Sequence, residues 1–495
     1  MTLILPKGLD LKAIEQQYPP QFKAYKTDKL AYILHTLATI PVYNKNTELF
    51  EGYVPLSSKI LEYWVDNYKQ HIDYAIERGI IAVHPDESYS QGNYCKHYQF
   101  TAAYRTLGAT YTLTDVCLKR KLNQYFRARK KENKNYNHLN KWFTNKLTID
   151  YDLVQDFLEE EWSYKNNHEA LRDFSLVKKK VKSPYQQYEY AKLSAKFIYS
   201  GQFMYKVDEN VKRYHSNLTN MRGILRNALT YEGQQLVSVD ISNSQPFLSL
   251  LLLQPEFWEQ LRIIHQKKCL KNSGPHTYFR TSFDKFYINL YERLERVIKV
   301  NKLEGSLINF VETMLTLLNT MDKNDFAVYQ DKVCKGQLYD YLLTRFKEHY
   351  RLYDITRDDA KIAVLQAFFS DNRYLTQEDA KPKLLFKHSF EEVYAVLAQV
   401  KSGFKALLPI LLQNIESYLV IEIMARRIAK EHPNMPLFSI HDSLVTTVGN
   451  EGILQRIMTE ELTQYVGFTP HFKTEYWEPK SLSKHLEKLK GKLSA

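Results

Sequence analysis

Two short apolar segments, each ending in an aspartate, constrain this chain more than any other feature. Residues 236–240 end at Asp240 and residues 437–442 end at Asp442, and both runs favour β-strands. Strands of one sheet can bring two carboxylates together, and paired carboxylates hold the metal ions of sites that transfer phosphoryl and nucleotidyl groups. The pair therefore indicates a nucleotidyl-transfer site that uses two Mg²⁺ ions, with Mn²⁺ as a possible substitute. Asp240 and Asp442 are its predicted metal ligands and catalytic residues.

A second pattern, over residues 356–370, predicts a helix with two cations and an aromatic ring on one face. Arg357, Lys361 and Leu365 recur at every fourth position, and Phe369 follows at the same interval. Side chains at this spacing lie on one side of a helix, so the four together can meet one nucleotide. The alternative is an amphipathic helix with a solvated charged face.

The first aspartate segment and the residues before it resemble the palm of the family A, polymerase I-like, DNA polymerases. In that family a Gly-Arg-x-Ser-Ser segment, an Asn-Leu-Gln-Asn run and a later arginine precede a strand ending Asp-Tyr-Ser-Gln-x-Glu. The resemblance covers approximately residues 195–480 and implies template-directed synthesis with nucleoside triphosphates as substrates. The matching positions, in the family's order, are Arg213, Asn217, Leu218, Asn220, Arg226, Asp240 and Ser242.

The helix over 356–370 resembles the fingers helix of the same family and of the single-subunit phage-type RNA polymerases. The resemblance implies that Arg357 and Lys361 bind the triphosphate and that Lys361 also protonates the leaving pyrophosphate. It implies that Phe369 packs beside the incoming base or sugar. Leu365 and Gln245 complete the implied nucleotide-binding set. The implied primer and template contacts are Arg213, Asn217, Asn220, Arg226, Lys405, Gln413 and His441, with Lys405 and Gln413 on one predicted helix over 404–418.

Departures from the family's motifs leave the choice of sugar open. Gln245 stands where DNA polymerases of this family usually carry a glutamate that blocks a ribose 2′-hydroxyl, so bulk is kept and charge is lost. Phe369 replaces a tyrosine, and Ser370 replaces the glycine after it. His441 before Asp442 follows the phage RNA polymerase version of the last motif. The link over residues 246–356 is longer than in the family and has no assigned role.

The N-terminal part of the chain predicts a nucleic-acid-binding module. Residues 51–105 read as helix, helix and β-hairpin, the winged-helix order, with Lys69, His71 and Asp73 facing a groove and a wing near Gln91. The alternative is a small α+β module that docks on another part of the protein or on another protein. The densest basic stretch, residues 119–138, predicts a phosphate-contacting surface or a flexible linker.

Composition fits a nucleic-acid enzyme. The formal net charge is +12 and the pI is near 9.1, which favours a polyanionic partner. The four cysteines include no Cys-x-x-Cys pair, which argues against structural zinc and disulfides and fits a reducing compartment. We find no secretory segment and no run of about 18 apolar residues, so we expect a cytoplasmic protein without a membrane span.

The predicted architecture is an α+β polymerase right hand of palm, fingers and thumb. Its expected divisions are a winged-helix-like module at 1–105, a basic linker and helical thumb-like region at 106–195, and palm and fingers at 196–495. The expected function is a DNA-directed DNA polymerase without proofreading exonuclease, in the replication of a phage, plasmid or other mobile element. One alternative is a single-subunit RNA polymerase or primase. Another is a catalytically inactive DNA-binding replication initiator.

Overall fold

The chain is a mixed α/β protein whose backbone forms two compact units. The computed structural model describes residues 2–43, 52–85, 95–175, 180–269, 281–301, 307–350, 355–373, 377 and 380–492. The first unit comprises Met1–Lys206, His215–Leu236 and Tyr476–Ala495, and the second comprises Val207–Tyr214 and Val237–Glu475. The predicted division at residues 105 and 195 stays a prediction.

The described residues contain more helix than strand. The strands, in chain order, are β1 (Thr2–Pro6), β2 (Val54–Leu56), β3 (Ile81–Val83), β4 (Lys96–Phe100), β5 (Leu107–Thr112), β6 (Leu147–Ile149), β7 (Phe174–Ser175), β8 (Lys180–Val181), β9 (Tyr205–Val207), β10 (Tyr214–Ser216), β11 (Leu229–Tyr231), β12 (Gln234–Ile241), β13 (Phe438–Ile440), β14 (Ser443–Thr447) and β15 (Phe472–Tyr476). The helices are α1 (Leu11–Gln17), α2 (Thr27–Tyr43), α3 (Ser58–Trp64), α4 (Tyr68–Glu77), α5 (Val116–Glu132), α6 (Asn137–Asn140), α7 (Tyr151–Asn167), α8 (Pro184–Tyr199), α9 (Asn217–Asn220), α10 (Ser244–Leu252), α11 (Pro255–Cys269), α12 (Ser282–Val300), α13 (Leu307–Thr320), α14 (Lys323–Cys334), α15 (Leu338–Tyr350), α16 (Arg357–Phe369), α17 (Lys381–Ser389), α18 (Glu391–Val400), α19 (Leu407–Ser417), α20 (Ala425–Glu431), α21 (Glu451–Val466) and α22 (Lys480–Gly491).

Helix α2 is central to the core of the first unit. Its residues Leu30, Leu34 and Leu37 are almost completely buried, and they share one apolar core with side chains of β1, α3, α4, α5 and α8. Near the start of α2, the buried carboxylate of Asp28 accepts a hydrogen bond from the Tyr111 hydroxyl at 2.6 Å. One apolar core therefore joins elements of the predicted N-terminal module to α5 and α8.

The predicted order of helix, helix and hairpin is present as α3, α4, β3 and β4. Strand β2 adds to it, giving a three-stranded sheet in the order β2-β4-β3. The predicted wing near Gln91 lies outside the described residues. Lys69 and Asp73 are exposed, whereas His71 is buried and its ring stacks on Tyr25 with 5.3 Å between the ring centroids. The prediction that His71 faces a groove was wrong, because this position of α4 points into the core.

The basic stretch begins with a helix, α5, and not with a flexible linker. Leu118 and Leu122 are buried in the core of the first unit, which anchors one face of the helix. Arg120 and Arg127 are exposed. Two turns separate these arginines, so they lie on the same side of α5.

The sheet of the second unit positions both aspartate segments. Its strands follow the order β13-β14-β12, and β15 also pairs with β12. Strands β13 and β14 form a hairpin in which Ile440 is paired with Ser443, so His441 and Asp442 are the two residues of its turn. The end of β12 that carries Asp240 and the turn that carries Asp442 therefore belong to one sheet.

The longest apolar helix of the second unit is Leu407–Glu431, which comprises α19, a π-helical segment Tyr418–Met424 and α20. It is the one helix among the described residues that is long and apolar enough to cross a membrane, and 67% of its apolar window is buried within the protein. The expectation that the chain has no membrane span stays a prediction. A mostly buried core helix passes the same test of length and composition.

Candidate functional site

Asp240 and Asp442 lie close together in the second unit. Strand β12 is buried from Leu236 to Val239, and this burial fixes the register that places Asp240 near its end. The Asp240 carboxylate accepts a hydrogen bond from Ser238 Oγ at 3.1 Å through Oδ2, and one from Ser443 Oγ through Oδ1. Since Ser443 directly follows Asp442, this second bond ties the hairpin turn to the end of β12.

The turn that presents Asp442 has an unusual backbone. His441 has φ 57°, in the left-handed region that histidine enters more readily than most residues. The primed turns of two-residue hairpins have a positive φ at their first central position, which is where His441 stands. The local conformation is therefore matched to a two-residue hairpin that projects Asp442 from the edge of the strands.

The site carries an excess of negative charge. Burial raises the pKa of Asp442 to about 7, and the charges of Glu416 and Asp240 act in the same direction. Burial also raises the pKa of Asp240, and the charge of Glu475 adds to this effect. Like charges held together raise one another's pKa because ionising the second costs Coulomb energy. A divalent cation placed between them would remove that cost.

The donor set fits Mg²⁺ or Mn²⁺ with substrate completing the coordination. Both side chains offer carboxylate oxygens, the ligand type that hard cations prefer, and Mg²⁺ commonly uses one or two carboxylates plus substrate phosphates. Within the described ranges, no group of three or more histidine, cysteine, aspartate or glutamate side chains is arranged to hold a metal ion. Asp240 and Asp442 thus form an open pair and not a closed structural metal cage.

Helix α16 has the predicted bounds to within one residue. Thr356 caps its N-terminus in a reciprocal capping box with Asp359. Arg357 is exposed and Lys361 half-buried, Leu365 is 53% exposed, and Phe369 is half-buried at the C-terminal end. These positions share the outer face of the helix, as the four-residue spacing predicted.

Arg357 and Lys361, the two cations of this face, each form an ion pair with a neighbouring acid. Arg357 donates to Asp340 at 2.8 Å, and its guanidinium lies 5.3 Å from the centroid of the Tyr339 ring. Lys361 donates to Asp358, three residues earlier, at 3.0 Å. Exposed ion pairs of this kind contribute only about 0–1 kcal/mol, so a polyphosphate can displace them.

Tyr339 connects the N-terminal turn of α16 to the acidic pair. Burial raises the pKa of Tyr339, while the positive charge of Arg357 lowers it and the negative charge of Asp442 raises it. Tyr339 therefore lies against Arg357 of α16 and also senses the charge of Asp442.

Glu416 is a site residue to which the sequence assigned no role. It is almost fully buried on α19 and binds Arg213 in an ion pair, with Arg213 Nη2 2.6 Å and Nε 3.0 Å from Glu416 Oε1. Its other oxygen, Oε2, accepts a hydrogen bond from Gln245 Nε2 at 2.5 Å. The local signal in the sequence is a single acid in a mostly apolar helical run that also carries Gln413.

Gln413 and Lys405, two further predicted primer or template contacts, lie in different surroundings in the second unit. Gln413 lies half-buried on α19. Lys405 is exposed in the turn before this helix, so the prediction that one helix carries both residues was wrong. Helix α19 begins at Leu407, and Pro409 falls in its first turn, where a missing backbone N–H costs least.

Three predicted primer or template residues belong to the first unit. Asn217 is buried, with Oδ1 2.6 Å from the Met204 backbone nitrogen and Nδ2 3.2 Å from the Gln202 carbonyl oxygen. Arg226 donates through Nε to the Leu218 carbonyl at 3.0 Å. In this conformation Asn217 and Arg226 brace the backbone around α9. Asn220 is half-buried at the end of the same helix.

Buried lysines hold the C-terminal end of α16. Lys401 is 3% exposed and donates from Nζ to the carbonyl oxygens of Ala367 at 2.6 Å and Ser370 at 3.1 Å. Lys383 Nζ donates to the Asp371 carbonyl at 2.6 Å. Cations at this end of a helix satisfy its last carbonyls and oppose its dipole.

Stability should therefore depend on pH through Lys401. Burial lowers the pKa of Lys401 to about 8, with the charge of Lys383 acting in the same direction, so the cost of burying its charge is fully present below pH 8. This cost is relieved as pH rises toward the unfolded-state pKa. Relative to Lys401→Met, the wild type should gain up to about 1.4 kcal/mol per pH unit above pH 8 in its free energy of unfolding. Urea titrations from about pH 7 to 10 measure this gain. The difference between the wild type and the exposed Lys405→Met should not change with pH in this way. A difference between the wild type and Lys401→Met that stays constant over the range would contradict the account.

Comparison with known proteins gives limited similarity. No protein-family model matches the chain, and no curated protein matches it. One solved structure similar to it is the POL domain of Pol1 from M. smegmatis in complex with DNA primer-template and dNTP. The two are 11% identical, the match covers 68% of each chain, and the TM-score is 0.30. That TM-score is too low to establish a common fold, so the function proposed below depends on the residues of the site.

Proposed function

We propose that the protein is a template-directed nucleotidyltransferase, most specifically a DNA-directed DNA polymerase without proofreading. The observation that carries this proposal is the meeting of the Asp240 and Asp442 segments at the sheet of the second unit, with Arg357 of α16 against Tyr339, a residue that also senses the charge of Asp442. A carboxylate pair beside a displaceable pair of cations is what a nucleoside triphosphate and its metal ions require.

Each of these residues has a distinct proposed role. Asp240 and Asp442 would hold the metal ions. Mg²⁺, when bound, neutralises phosphoryl charge and favours deprotonation of a primer 3′-hydroxyl. Arg357 binds the triphosphate in place of Asp340, and Lys361 leaves Asp358 to bind and protonate the departing pyrophosphate.

The apolar end of α16 positions the nucleoside. Phe369 packs beside the incoming base or sugar, and Leu365 extends this contact along the same face. Gln245 bounds the sugar. We also propose a polymerase right hand with a winged-helix-like module. The proposed biological role is the replication of a phage, plasmid or other mobile element, and the proposed location is the cytoplasm.

A single-subunit RNA polymerase or primase is the second candidate. Specific residues favour it: Gln245 lacks a negative charge, Phe369 lacks a hydroxyl, and His441 precedes the second aspartate. The deciding experiment is extension of a labelled primer on DNA and RNA templates with Mg²⁺, comparing dNTPs with rNTPs. Extension restricted to dNTPs on DNA supports the DNA polymerase, whereas rNTP products or primer-independent products support the alternative. An absence of product under all conditions would contradict both and favour the inactive replication initiator.

The α5 face of the first unit is the proposed nucleic-acid interface outside the active site. Tyr63 is 56% exposed beside Lys121, whose Nζ lies 4.5 Å from the ring centroid, and Phe126 is 44% exposed. Around this helix, Tyr63 and Phe126 offer aromatic rings for stacking, and Arg120 and Arg127, on its outer side, add positive charge for phosphates. Such a surface binds single-stranded nucleic acid with little sequence preference.

Reversal of charge on α5 should weaken DNA binding in a salt-dependent way. Arg120→Glu/Arg127→Glu should reduce the slope of log K against log salt for a single strand by about 0.7 for each phosphate that the two arginines neutralise in the wild type. Fluorescence anisotropy with a labelled single strand at several salt concentrations measures that slope. Lys12→Glu/Lys23→Glu makes the same charge change at exposed sites of the first unit and should leave the slope nearly unchanged. Equal effects of the two double variants would show that only net charge matters.

A further inference from the structure

Glu416 organises a buried polar cluster next to the acidic pair. Its side chain is 2% exposed, and its two carboxylate oxygens have different partners. Oε1 is bonded to the guanidinium of Arg213, and Oε2 is bonded to Gln245 Nε2 at 2.5 Å, with the Ser244 hydroxyl at the limit of bonding, 3.5 Å away. A carboxylate paired with arginine accepts hydrogen bonds and donates none. The amide of Gln245 must therefore turn its NH₂ group toward Glu416.

The other end of the amide has no such restraint. Gln245 Oε1 is buried and has no hydrogen-bond partner among the described residues. Within the described ranges, Glu416 is thus the one side chain that the structure shows fixing the polar end of Gln245. A glutamine has three rotatable bonds, so loss of a hydrogen bond to a charged group would free the side chain to adopt other rotamers.

We propose that Glu416 is a positioning residue for sugar selectivity, because it clamps Gln245 at the position that bounds the nucleotide sugar. This inference rests on the proposed function. A neutral amide can exclude a 2′-hydroxyl by bulk only while it is held in one place. The carboxylate on α19 supplies the restraint, and the ion pair with Arg213 holds that carboxylate in turn.

Discrimination between dNTPs and rNTPs tests the clamp. Gln245→Met keeps the volume of the side chain and the Arg213–Glu416 ion pair but removes the hydrogen bond, and Glu416→Gln removes the charge. Each variant should lower the ratio of kcat/KM for dNTP over rNTP about tenfold, as expected for loss of a hydrogen bond to a charged group. If Glu416 acts through Gln245, the double variant should discriminate no worse than Gln245→Met alone.

Other outcomes separate the possibilities. Equal losses with both nucleotides and an unchanged ratio would give Glu416 a purely structural role and overturn the inference, as would additive effects in the double variant. If Glu416→Gln does not fold, Gln245→Met still tests the inference. An unchanged ratio of kcat/KM for dNTP over rNTP in Gln245→Met would show that the hydrogen bond to Glu416 does not contribute to sugar selectivity, and would overturn the inference. A wild type that incorporates neither nucleotide would instead overturn the proposed function, and this inference with it.

Discussion

Replacement of Asp240 or Asp442 by asparagine should lower nucleotide incorporation by roughly 10³-fold or more, since metal stabilisation of transition-state charge contributes several kcal/mol. The same changes should leave the protein at least as stable as the wild type. Burial raises the pKa of Asp442 to about 7, and Glu416 and Asp240 add repulsion, so removing one acid relieves unfavourable charge. Single-turnover incorporation and urea unfolding in the absence of metal measure the two effects.

A surface acid of the same unit provides the matched control. Asp331 lies on α14 and forms an ion pair with Lys335 at 2.6 Å, and it has no part in the proposed function. Asp331→Asn should retain activity and change the free energy of unfolding by no more than about 1 kcal/mol. If the asparagine variants at 240 and 442 lose stability in proportion to activity, the two acids are structural and the account of the site fails.

Substitution of Lys361 or Arg357 on α16 should have the next largest effect on nucleotide incorporation. One substitution should act mainly on kcat and the other mainly on KM. Lys361→Met should lower kcat by about 10²–10⁴-fold, because its proposed role is to protonate the leaving group. Arg357→Ala should mainly raise the KM for the nucleotide, because it removes binding to a triphosphate that persists through the reaction. Steady-state kinetics with varied nucleotide concentration separates kcat from KM.

Stability offers an independent check on these variants. The ion pairs of both cations are with exposed acids, so each change should cost no more than about 1 kcal/mol of unfolding free energy. Lys299→Met, at the exposed end of α12, serves as the control and should affect neither kcat nor KM. Unchanged kinetics in both α16 variants would restore the interpretation of this helix as a solvated charged face.

Elements with a strong local pattern could be predicted from the sequence. Helix α16 is predicted over 356–370 and spans Arg357–Phe369, because its spacing and its Thr356 cap are local signals. The two aspartate segments form strands because apolar, β-favouring residues precede each acid. These local features sufficed to identify the two acids and the cationic helix as candidates before their contacts were known.

Features that depend on distant pairing could not be predicted. Glu416 meets Arg213 and Gln245, which precede it by 203 and 171 residues, and no local pattern reports such contacts. His71 was misplaced because a polar residue on a short helix reads as exposed until the core around it is known. Lys405 was assigned to a helix because its spacing to Gln413 was helical, although α19 begins only at Leu407.

Single-nucleotide addition on a set of templates tests the central claim most directly. A labelled primer is annealed to templates that differ only in the first unpaired base, and each is offered one dNTP at a time with Mg²⁺. The account predicts that wild-type protein adds only the complementary nucleotide, and that Asp442→Asn adds none while Asp331→Asn matches the wild type. No addition by the wild type, addition that ignores the template base, or full activity in Asp442→Asn would contradict it.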